Sequence, residues 1–131
     1  MKNTGIQNGE ISRLLAAIGH TQYIVISDVG LPIPKGVPCI DLAVRVGLPS
    51  FDDVLEAVSK ELVYEAIVLA TELKERFPKD CREIVSKLNK VEEKYVPHEE
   101  FKELSKNAVA IIRTGENKPY RNIILRAGVN F

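Results

Sequence analysis

The residues best suited to proton chemistry in this chain are its two histidines, and both lie at the ends of predicted elements. His20 comes just before the apolar run Tyr23 to Ser27, and Asp28 comes directly after that run. His98 follows another strand-like run, in the segment VPHEEF. Because an imidazole can accept and release a proton near neutral pH, two histidines outside any periodic apolar face indicate an acid–base site.

Each histidine also has a purely structural interpretation. His20, just beyond a predicted helix, can contact the carbonyl groups and the dipole at the C-terminus of that helix. His98 can be a surface residue that begins an acidic helical turn. There the helix N-terminus favours a neutral ring, whereas Glu99 and Glu100 act in the opposite direction. The sequence leaves both interpretations open for both residues.

A third polar cluster, RTGENKPYRNIILRAGVNF, leads into the last predicted strand. Strand alternation predicts that Tyr120 and Asn122 point to one side and Arg121 to the other. The structural interpretation is a turn with an aromatic residue at an interface. The functional one is a phenol and an amide that converge on a ligand, and two uncharged groups suit a neutral polyol better than a phosphate.

Length and composition predict a single domain, residues 1–131, that can build a real core, since 45% of its residues are hydrophobic. Its 18 basic residues balance its 18 acidic ones. Without a basic excess, a nucleic-acid partner is not expected, and nothing suggests a membrane surface. A net charge near zero leaves self-association unopposed.

Targeting and cofactor signals are missing from the sequence. Glu10 and Arg13 interrupt the apolar residues near the N-terminus, so we expect no signal peptide, and the apolar runs are too short for a transmembrane helix. Cys39 and Cys81 form no C-x-x-C pair, which predicts free thiols in a cytoplasmic protein. There is no P-loop or dinucleotide fingerprint, and the widely separated histidines predict no metal site.

Apolar periodicity and capping residues predict helices that alternate with strands. Gly19 is expected to end the first helix as a C-cap glycine, and Ser50 to begin the second as its N-cap. The predicted helices are 6–18, 51–62, 73–77, 79–88 and 99–106, and the predicted strands are 23–27, 39–44, 65–70, 94–97, 108–113 and 122–127. This alternation predicts an α/β fold, a three-layer domain with a mainly parallel β-sheet flanked by helices.

In an all-parallel sheet the candidate residues would fall at two opposite edges. His20, Tyr120 and Asn122 precede their strands, whereas Asp28 and His98 follow theirs. At about 3.3 Å per extended residue, His20 and Asp28 could stand about 26 Å apart. We therefore predict that one active site combines His20 from one subunit with groups from a neighbour, or else that a strand runs antiparallel.

Four separated blocks resemble the ribose pyranase/fucose mutarotase family, and they occur in the right order along essentially the whole chain. They are GHTQYIVISDVGLPIP, IDLAVRVGLPSF, VPHEEFK, and RTGE followed by PYRNIILRAGVNF. Two positions depart from the pattern of the family: Gln22 stands in place of an acid, and Val29 in place of a smaller residue. Both lie beside candidate site residues, so they bear on substrate preference.

The resemblance implies an isomerase that interconverts the pyranose and furanose forms of free D-ribose, without cofactor or metal. It implies that His20 is the catalytic proton donor. The substrate-binding residues that it implies are Asp28, His98, Tyr120, Arg121 and Asn122. It also implies a ring-shaped homo-oligomer, typically a decamer of two pentamers, with sites near subunit contacts.

Three other functions stay open on the sequence alone. A fucose-type mutarotase would use the same acid–base logic in a roomier pocket. A non-catalytic sugar-binding or regulatory subunit would bind ribose and leave its exchange rates unchanged. A phosphotransfer domain built on Asp28 would need magnesium, but no second acidic residue stands nearby to hold that ion.

Overall fold

Helices and strands alternate along the chain, and the computed structural model describes all of its residues, 1–131. The strands are β1 (Tyr23–Ser27), β2 (Cys39–Asp41), β3 (Tyr64–Ala70), β4 (Glu92–Val96), β5 (Ile111–Arg113) and β6 (Ile123–Ala127). The helices are α1 (Gly9–Ala17), α2 (Phe51–Glu61), α3 (Thr71–Arg76), α4 (Pro78–Ser86) and α5 (His98–Ser105). The predicted succession of elements is therefore confirmed, with boundaries that differ by a few residues.

All six strands join one sheet in the order β2-β5-β1-β6-β3-β4. Strand β6 runs antiparallel to both of its neighbours, β1 and β3, and the remaining pairs are parallel. The mainly parallel sheet is thus confirmed. The sequence predicted either a site shared between subunits or an antiparallel strand, and β6 is such a strand. Its direction places the residues that precede it beside the residues that follow β1 and β3, at the same edge of the sheet as the residues that follow β4.

Helices cover both faces of the sheet, which confirms the three layers. The larger core lies under α1, α2, α3 and α4, and the smaller one lies under α5. Strand β1 contributes to both cores: Ile24 and Ile26 belong to the larger and Val25 to the smaller, because successive side chains of a strand point to opposite faces. This alternation explains why β1 carries the unbroken apolar run Ile24 to Ile26.

Side-chain caps determine where α1 and α2 begin. The side-chain oxygen of Asn8 accepts a hydrogen bond from the Ile11 N–H at 2.9 Å, so α1 begins later than the apolar spacing predicted. The hydroxyl of Ser50 accepts from the Asp53 N–H at 3.1 Å, which confirms the predicted N-cap of α2.

The prediction of a C-cap glycine for α1 is wrong. Ile18 takes the C-cap position in extended conformation, and the residue with a left-handed backbone in this turn is Thr21, with φ of 70°. The side-chain oxygen of Gln22 accepts a hydrogen bond from the Gly19 N–H at 2.7 Å. Gln22, one of the departures from the family pattern, therefore helps to close the turn that carries His20.

Strand β2 ends at Asp41, earlier than predicted, because the following residues bond within their own loop. The N–H of Val44 donates to the Leu48 carbonyl at 3.0 Å, and the Leu48 N–H donates to the Arg45 carbonyl at 3.0 Å. The side chains of Val44, Val46 and Leu48 are exposed on this loop. No helix of the structure has both the length and the apolar character that crossing a membrane requires.

Candidate active site

Asp28 and Asn122 form a reciprocal pair at the edge where β1 ends and β6 begins. The Asp28 N–H donates to Asn122 Oδ1 at 2.8 Å, and Asn122 Nδ2 donates to Asp28 Oδ2 at 2.9 Å. These two bonds determine the orientation of the amide, because a flipped amide would place a donor against the Asp28 N–H. Asn122 is fully buried, so it lies behind Asp28 and holds the carboxylate in position.

The Asp28 carboxylate is also held by the turn that follows it. Its Oδ1 accepts hydrogen bonds from the N–H groups of Gly30 at 2.9 Å and Leu31 at 2.8 Å, the pattern of an aspartate-initiated turn. With Asn122 on Oδ2, the carboxylate accepts three hydrogen bonds. A carboxylate has about four acceptor positions, so one is left for a ligand hydroxyl.

Asp28, His98 and Tyr120 line one open hollow of about 280 Å³, which we call the Asp28 hollow. The His98 ring meets the Tyr120 ring edge-on, with 5.1 Å between centroids and 83° between planes. The other lining residues are Gly30, Leu31, Pro32, Lys102 and Pro119. A few convergent polar groups among apolar ones are typical of a small-molecule site.

His98 is positioned through its backbone as well as its ring. Its N–H donates to both carboxylate oxygens of Glu72, at 3.1 and 2.9 Å, so Glu72 caps α5 in place of Pro97, whose side chain makes no cap bond. The ring Nδ1 is buried and has no hydrogen-bond partner. Nε2 is therefore the ring nitrogen that a ligand can reach.

Tyr120 and Thr21 are the two non-glycine residues with positive φ, at 61° and 70°. This backbone conformation costs an L residue roughly 1–2 kcal/mol, so neighbouring contacts must maintain it. At Tyr120, Arg76 Nη1 donates to the phenol oxygen at 3.1 Å. Thr21 directly follows His20, so both strained positions belong to or adjoin candidate site residues, where backbone strain tends to occur.

His20 lies at the opposite edge of the sheet from the Asp28 hollow. The Thr21 N–H donates to the Ala127 carbonyl at 3.0 Å, which places this turn beside the end of β6. The residues of β1 alone put roughly 16 Å between the two edges. The side chain of His20 is half-exposed, and its Nε2 lies 3.1 Å from Glu65 Oε2. Its partner is a carboxylate of β3, and the ring makes no hydrogen bond to the C-terminal carbonyls of α1.

Arg121 lies in a group of carboxylates, and its side chain does not line the Asp28 hollow. The side chain is 3% exposed, with Nη1 3.3 Å from Asp52, Nη2 3.4 Å from Asp80, and Nε 3.7 Å from Glu116. Asp52 and Asp80 lie in the first turns of α2 and α4, where the helix dipole favours negative charge. Arg121 therefore ties the segment that carries Tyr120 to two helices.

The sequence analysis did not identify three charged side chains near His20, His98 and the Asp28 hollow: Glu65, Glu72 and Lys102. Lys102 lines the Asp28 hollow one turn after His98, and the helical spacing of the two residues was a usable signal. Its ammonium group donates to Glu99 at 2.9 Å, and this hydrogen bond and charge hold the pKa of Glu99 below its ordinary value. Glu65 and Glu72 meet partners 45 and 26 positions away, so no local pattern identifies them.

The fold and these side chains define a class of α/β protein with a small, open, polar hollow at the edge of a mixed sheet. No group of three or more His, Cys, Asp or Glu side chains is arranged to hold a metal ion. The chain belongs to the RbsD / FucU transport protein family, whose family model matches residues 1–130. The resemblance read from the four sequence blocks is confirmed.

Individual relatives match over the full length. A D-ribose pyranase of Geobacillus thermodenitrificans is 54% identical over 131 residues, covering 100% of this chain and 99% of the relative. A D-ribose pyranase of Exiguobacterium sibiricum is 54% identical and covers 100% of both. The structure of Bacillus subtilis RbsD complexed with D-ribose has a TM-score of 0.95 at 44% identity, covering 100% of both chains. A Streptococcus pneumoniae fucose mutarotase in complex with L-fucose shares the fold, with a TM-score of 0.70 at 23% identity over 95% and 94% of the chains.

Proposed function

We propose that this protein is an isomerase that interconverts the pyranose and furanose forms of free D-ribose by acid–base ring opening and closing. The observation that carries the proposal is the full-length similarity to relatives named D-ribose pyranase. The Asp28 hollow supports it, because its carboxylate, imidazole, phenol and ammonium groups suit the hydroxyls of a neutral sugar.

The chemistry needs a proton moved between sugar oxygens. Opening the pyranose removes the proton of the anomeric hydroxyl, breaks the bond between the anomeric carbon and the ring oxygen, and returns a proton to that oxygen. Closing the furanose reverses these steps with a different hydroxyl attacking the aldehyde. One imidazole can serve both directions, and such general acid–base help contributes roughly a hundred- to ten-thousandfold.

In this proposal His20 is the proton-transferring residue, and the groups around the Asp28 hollow bind the sugar. Asp28, His98 and Tyr120 offer an acceptor carboxylate, a ring nitrogen and a phenol to its hydroxyls. Asn122 acts through its two bonds to Asp28. Arg121 contributes by holding the segment 120–122 against α2 and α4.

A complete site then needs two copies of the chain, because His20 and the Asp28 hollow lie at opposite edges of the sheet. We propose that His20 of one subunit reaches the hollow of a neighbour in a ring-shaped homo-oligomer, a decamer of two pentamers. Two features of the chain support self-association. Val44 and Val46 are 76% and 61% exposed on the 42–49 loop, and the formal net charge is zero.

The direct test is NMR saturation transfer on free ribose with and without protein. The wild-type protein should accelerate ring exchange, and His20→Ala should remove roughly a hundred- to ten-thousandfold of that acceleration. A non-catalytic sugar-binding subunit would instead saturate with ribose and leave the exchange rates unchanged. The same measurement on L-fucose separates this function from that of a fucose-type mutarotase.

Mixing two inactive variants tests whether two chains share one site. His20→Ala lacks the proton carrier, and Asp28→Asn puts an amide donor in place of one accepting carboxylate oxygen and removes the charge, so each is expected to be inactive alone. In an oligomer assembled from equal amounts of both, about a quarter of the contacts between neighbours would unite an intact His20 with an intact hollow. Recovery of activity near that fraction supports the shared site, and no recovery contradicts it.

We also propose that residues 1–131 act as one domain and that the protein is cytoplasmic. The domain assignment is supported by the single sheet that all the strands join. The location is supported by Cys39 and Cys81, both of which are free thiols, as expected in a reducing compartment.

A further inference from the structure

His20 stands at the end of a chain of alternating charges. Its Nε2 lies 3.1 Å from Glu65 Oε2, and the other oxygen of Glu65 lies 3.2 Å from Arg126 Nε. Arg126 Nη2 is in turn 3.7 Å from Glu92. The contact between Arg126 and Glu65 is one of charge rather than a directed hydrogen bond, because its N–H is not aimed at the oxygen. Glu65 is the one side chain within hydrogen-bond distance of the His20 ring.

The backbone of β3 is irregular at the residue that reaches His20. Tyr64 pairs with Ala127 and Ala66 pairs with Arg126, so the register shifts between them and Glu65 is the extra residue. Such a bulge redirects a side chain, and bulges are over-represented beside active sites. The position of Glu65 at the bulge is a second observation, independent of the distance to the ring, that ties this carboxylate to His20.

The other charged group beside His20 is already engaged. Glu61 and His20 line a hollow of their own, separate from the Asp28 hollow. The Glu61 carboxylate accepts a hydrogen bond from the Ile6 N–H at 2.6 Å and lies 3.9 Å from Lys2. Glu65 is the carboxylate that lies within hydrogen-bond distance of the imidazole.

We propose that Glu65 is the positioning residue for His20, which it holds in the tautomer with the proton on Nε2 and with Nδ1 free to exchange a proton with the sugar. An ionised carboxylate can only accept, so the ring nitrogen that it contacts must be the donor. In the neutral ring the other nitrogen is then the acceptor. This inference rests on the proposed function, in which His20 carries the proton.

The route of the proton follows from that tautomer. Nδ1 takes the proton of the anomeric hydroxyl as the carbonyl forms and the bond to the ring oxygen breaks. The electron pair of that bond goes to the ring oxygen, and Nδ1 returns the proton there. Between the two proton transfers the imidazole ring of His20 is positively charged. The Glu65 carboxylate stabilises this imidazolium as the buried aspartate does in a serine protease. Nε2–H stays bonded to Glu65 throughout.

The test compares Glu65→Gln and Glu65→Ala with the control Glu92→Gln. Glu65 and Glu92 both pair with Arg126, but only Glu65 reaches His20. Saturation transfer over a range of ribose concentrations gives kcat and KM, and ¹⁵N NMR of the labelled imidazoles gives the tautomer. His20→Ala assigns the His20 signals. Glu65→Gln keeps the size of the side chain at a half-exposed position, so the fold is expected to survive.

Glu65→Ala should lower kcat by roughly ten- to a hundredfold with little change in KM, since Glu65 orients the reacting ring and does not touch the sugar. In this variant the ¹⁵N signals of His20 should move from a single tautomer towards a mixture. Glu65→Gln keeps an acceptor oxygen and loses the charge, so its effects should be smaller in the same direction. Glu92→Gln should change neither readout. A purely structural role for Glu65 would not alter the tautomer.

The inference is overturned if Glu65→Ala keeps the wild-type tautomer and kcat while His20→Ala is slow. It is also overturned if Glu92→Gln causes an equal loss, because the effect would then reflect general surface charge. If His20→Ala itself exchanges ribose at the wild-type rate, the proposed function fails, and the comparison of variants distinguishes that outcome from a failure of the Glu65 inference alone.

Discussion

The Asp28 N–H and the Asn122 side-chain oxygen, 94 positions apart in the chain, are joined by a buried hydrogen bond of 2.8 Å. The bond exists because β6 runs antiparallel to β1, so the start of one strand meets the end of the other. The same amide donates back to the Asp28 carboxylate at 2.9 Å. The pair therefore requires a side chain that is an acceptor at one end and a donor at the other.

Asn122→Asp should destabilise the protein although it changes only one atom type. The new carboxylate can still accept from the Asp28 N–H, but its second oxygen would face Asp28 Oδ2 as a like charge in a buried position. We expect a loss of about 3 kcal/mol in the free energy of unfolding, measured by urea denaturation at neutral pH. The loss should shrink in acid, where a protonated carboxyl can donate in place of the amide.

The matched control for that change is Asn117→Asp, at an exposed position a few residues earlier in the chain. It makes the same chemical change without a buried partner, so its effect should stay within about 0.5 kcal/mol. Equal effects at the two positions would contradict the importance of the reciprocal pair.

Arg121→Met should be strongly destabilising because it removes the counter-charge of Asp80 and Glu116. Asp52 loses one of its two cations and keeps Lys87, at 3.5 Å. Removal of one partner from a buried ion pair costs about 3–5 kcal/mol, and the lower end applies here since Asp52 and Asp80 are partly exposed. Ribose affinity should fall as well, because segment 120–122 loses its anchor. Urea denaturation and ribose titration measure the two effects. Arg82→Met, at an exposed arginine, is the control and should change neither; an equal loss there would contradict the anchoring role.

Local patterns in the sequence were enough to predict most of the elements. Ser50 is followed by an acidic residue and an apolar stripe, and this capping signal lies within a few residues of the helix that it starts. Strand β1 has an uninterrupted apolar run, which only a strand covered on both faces tolerates. Elements of this kind are determined by their own residues and were predicted correctly.

Features that depend on distant partners were not predictable. The run that forms β6 reads the same in either direction, so its antiparallel placement follows only from the connections of the whole sheet. Glu65 acquires its contact with His20 through a register shift that depends on β6. The carboxylates around Arg121 come from α2, α4 and the turn after β5, and no spacing in the sequence relates them.

Gly115→Ala tests the close contact between the 42–49 loop and the turn after β5. A Cβ atom at Gly115 would lie 2.5 Å from the Arg45 carbonyl oxygen and 2.6 Å from that of Leu48, both backbone atoms that cannot move independently. Overpacking of this kind costs roughly 1–3 kcal/mol, and urea denaturation should record a loss in that range. The loop should also shift, which the amide NMR signals of residues 44–48 would report.

The same substitution elsewhere gives a control with the opposite sign. Gly9 lies in α1, and a Cβ there would meet nothing within 4 Å. Gly9→Ala should therefore stabilise the protein by about 0.4–1 kcal/mol, because alanine has less freedom to lose on folding. If Gly115→Ala were as well tolerated as Gly9→Ala, the loop could not be packed against the turn as the structure shows.

The lowered pKa of Glu99 depends on Lys102 and should disappear with it. In Lys102→Met, carboxyl ¹³C NMR should show the pKa of Glu99 rising towards its ordinary value, since the hydrogen bond and charge that lower it are gone. A pKa that is lowered in the folded state stabilises the protein above the unfolded-state value and loses that effect as the pH falls through the folded-state value. The wild type therefore has a small stabilisation at pH values above the unfolded-state pKa of Glu99, and Lys102→Met should lose it. An unchanged Glu99 titration would contradict the pairing.

Lys102 should also matter for the sugar, because it lines the Asp28 hollow and can donate to a hydroxyl. A hydrogen bond to a charged group contributes about 1.5 kcal/mol or more, so Lys102→Met should weaken ribose binding by roughly tenfold. Lys106→Met is the matched control, since Lys106 pairs with Glu103 at 2.9 Å in the same helical spacing and does not line the hollow. Calorimetric titration with ribose measures both variants. If they bind ribose equally well, Lys102 is a surface residue with a salt bridge and no role in the site.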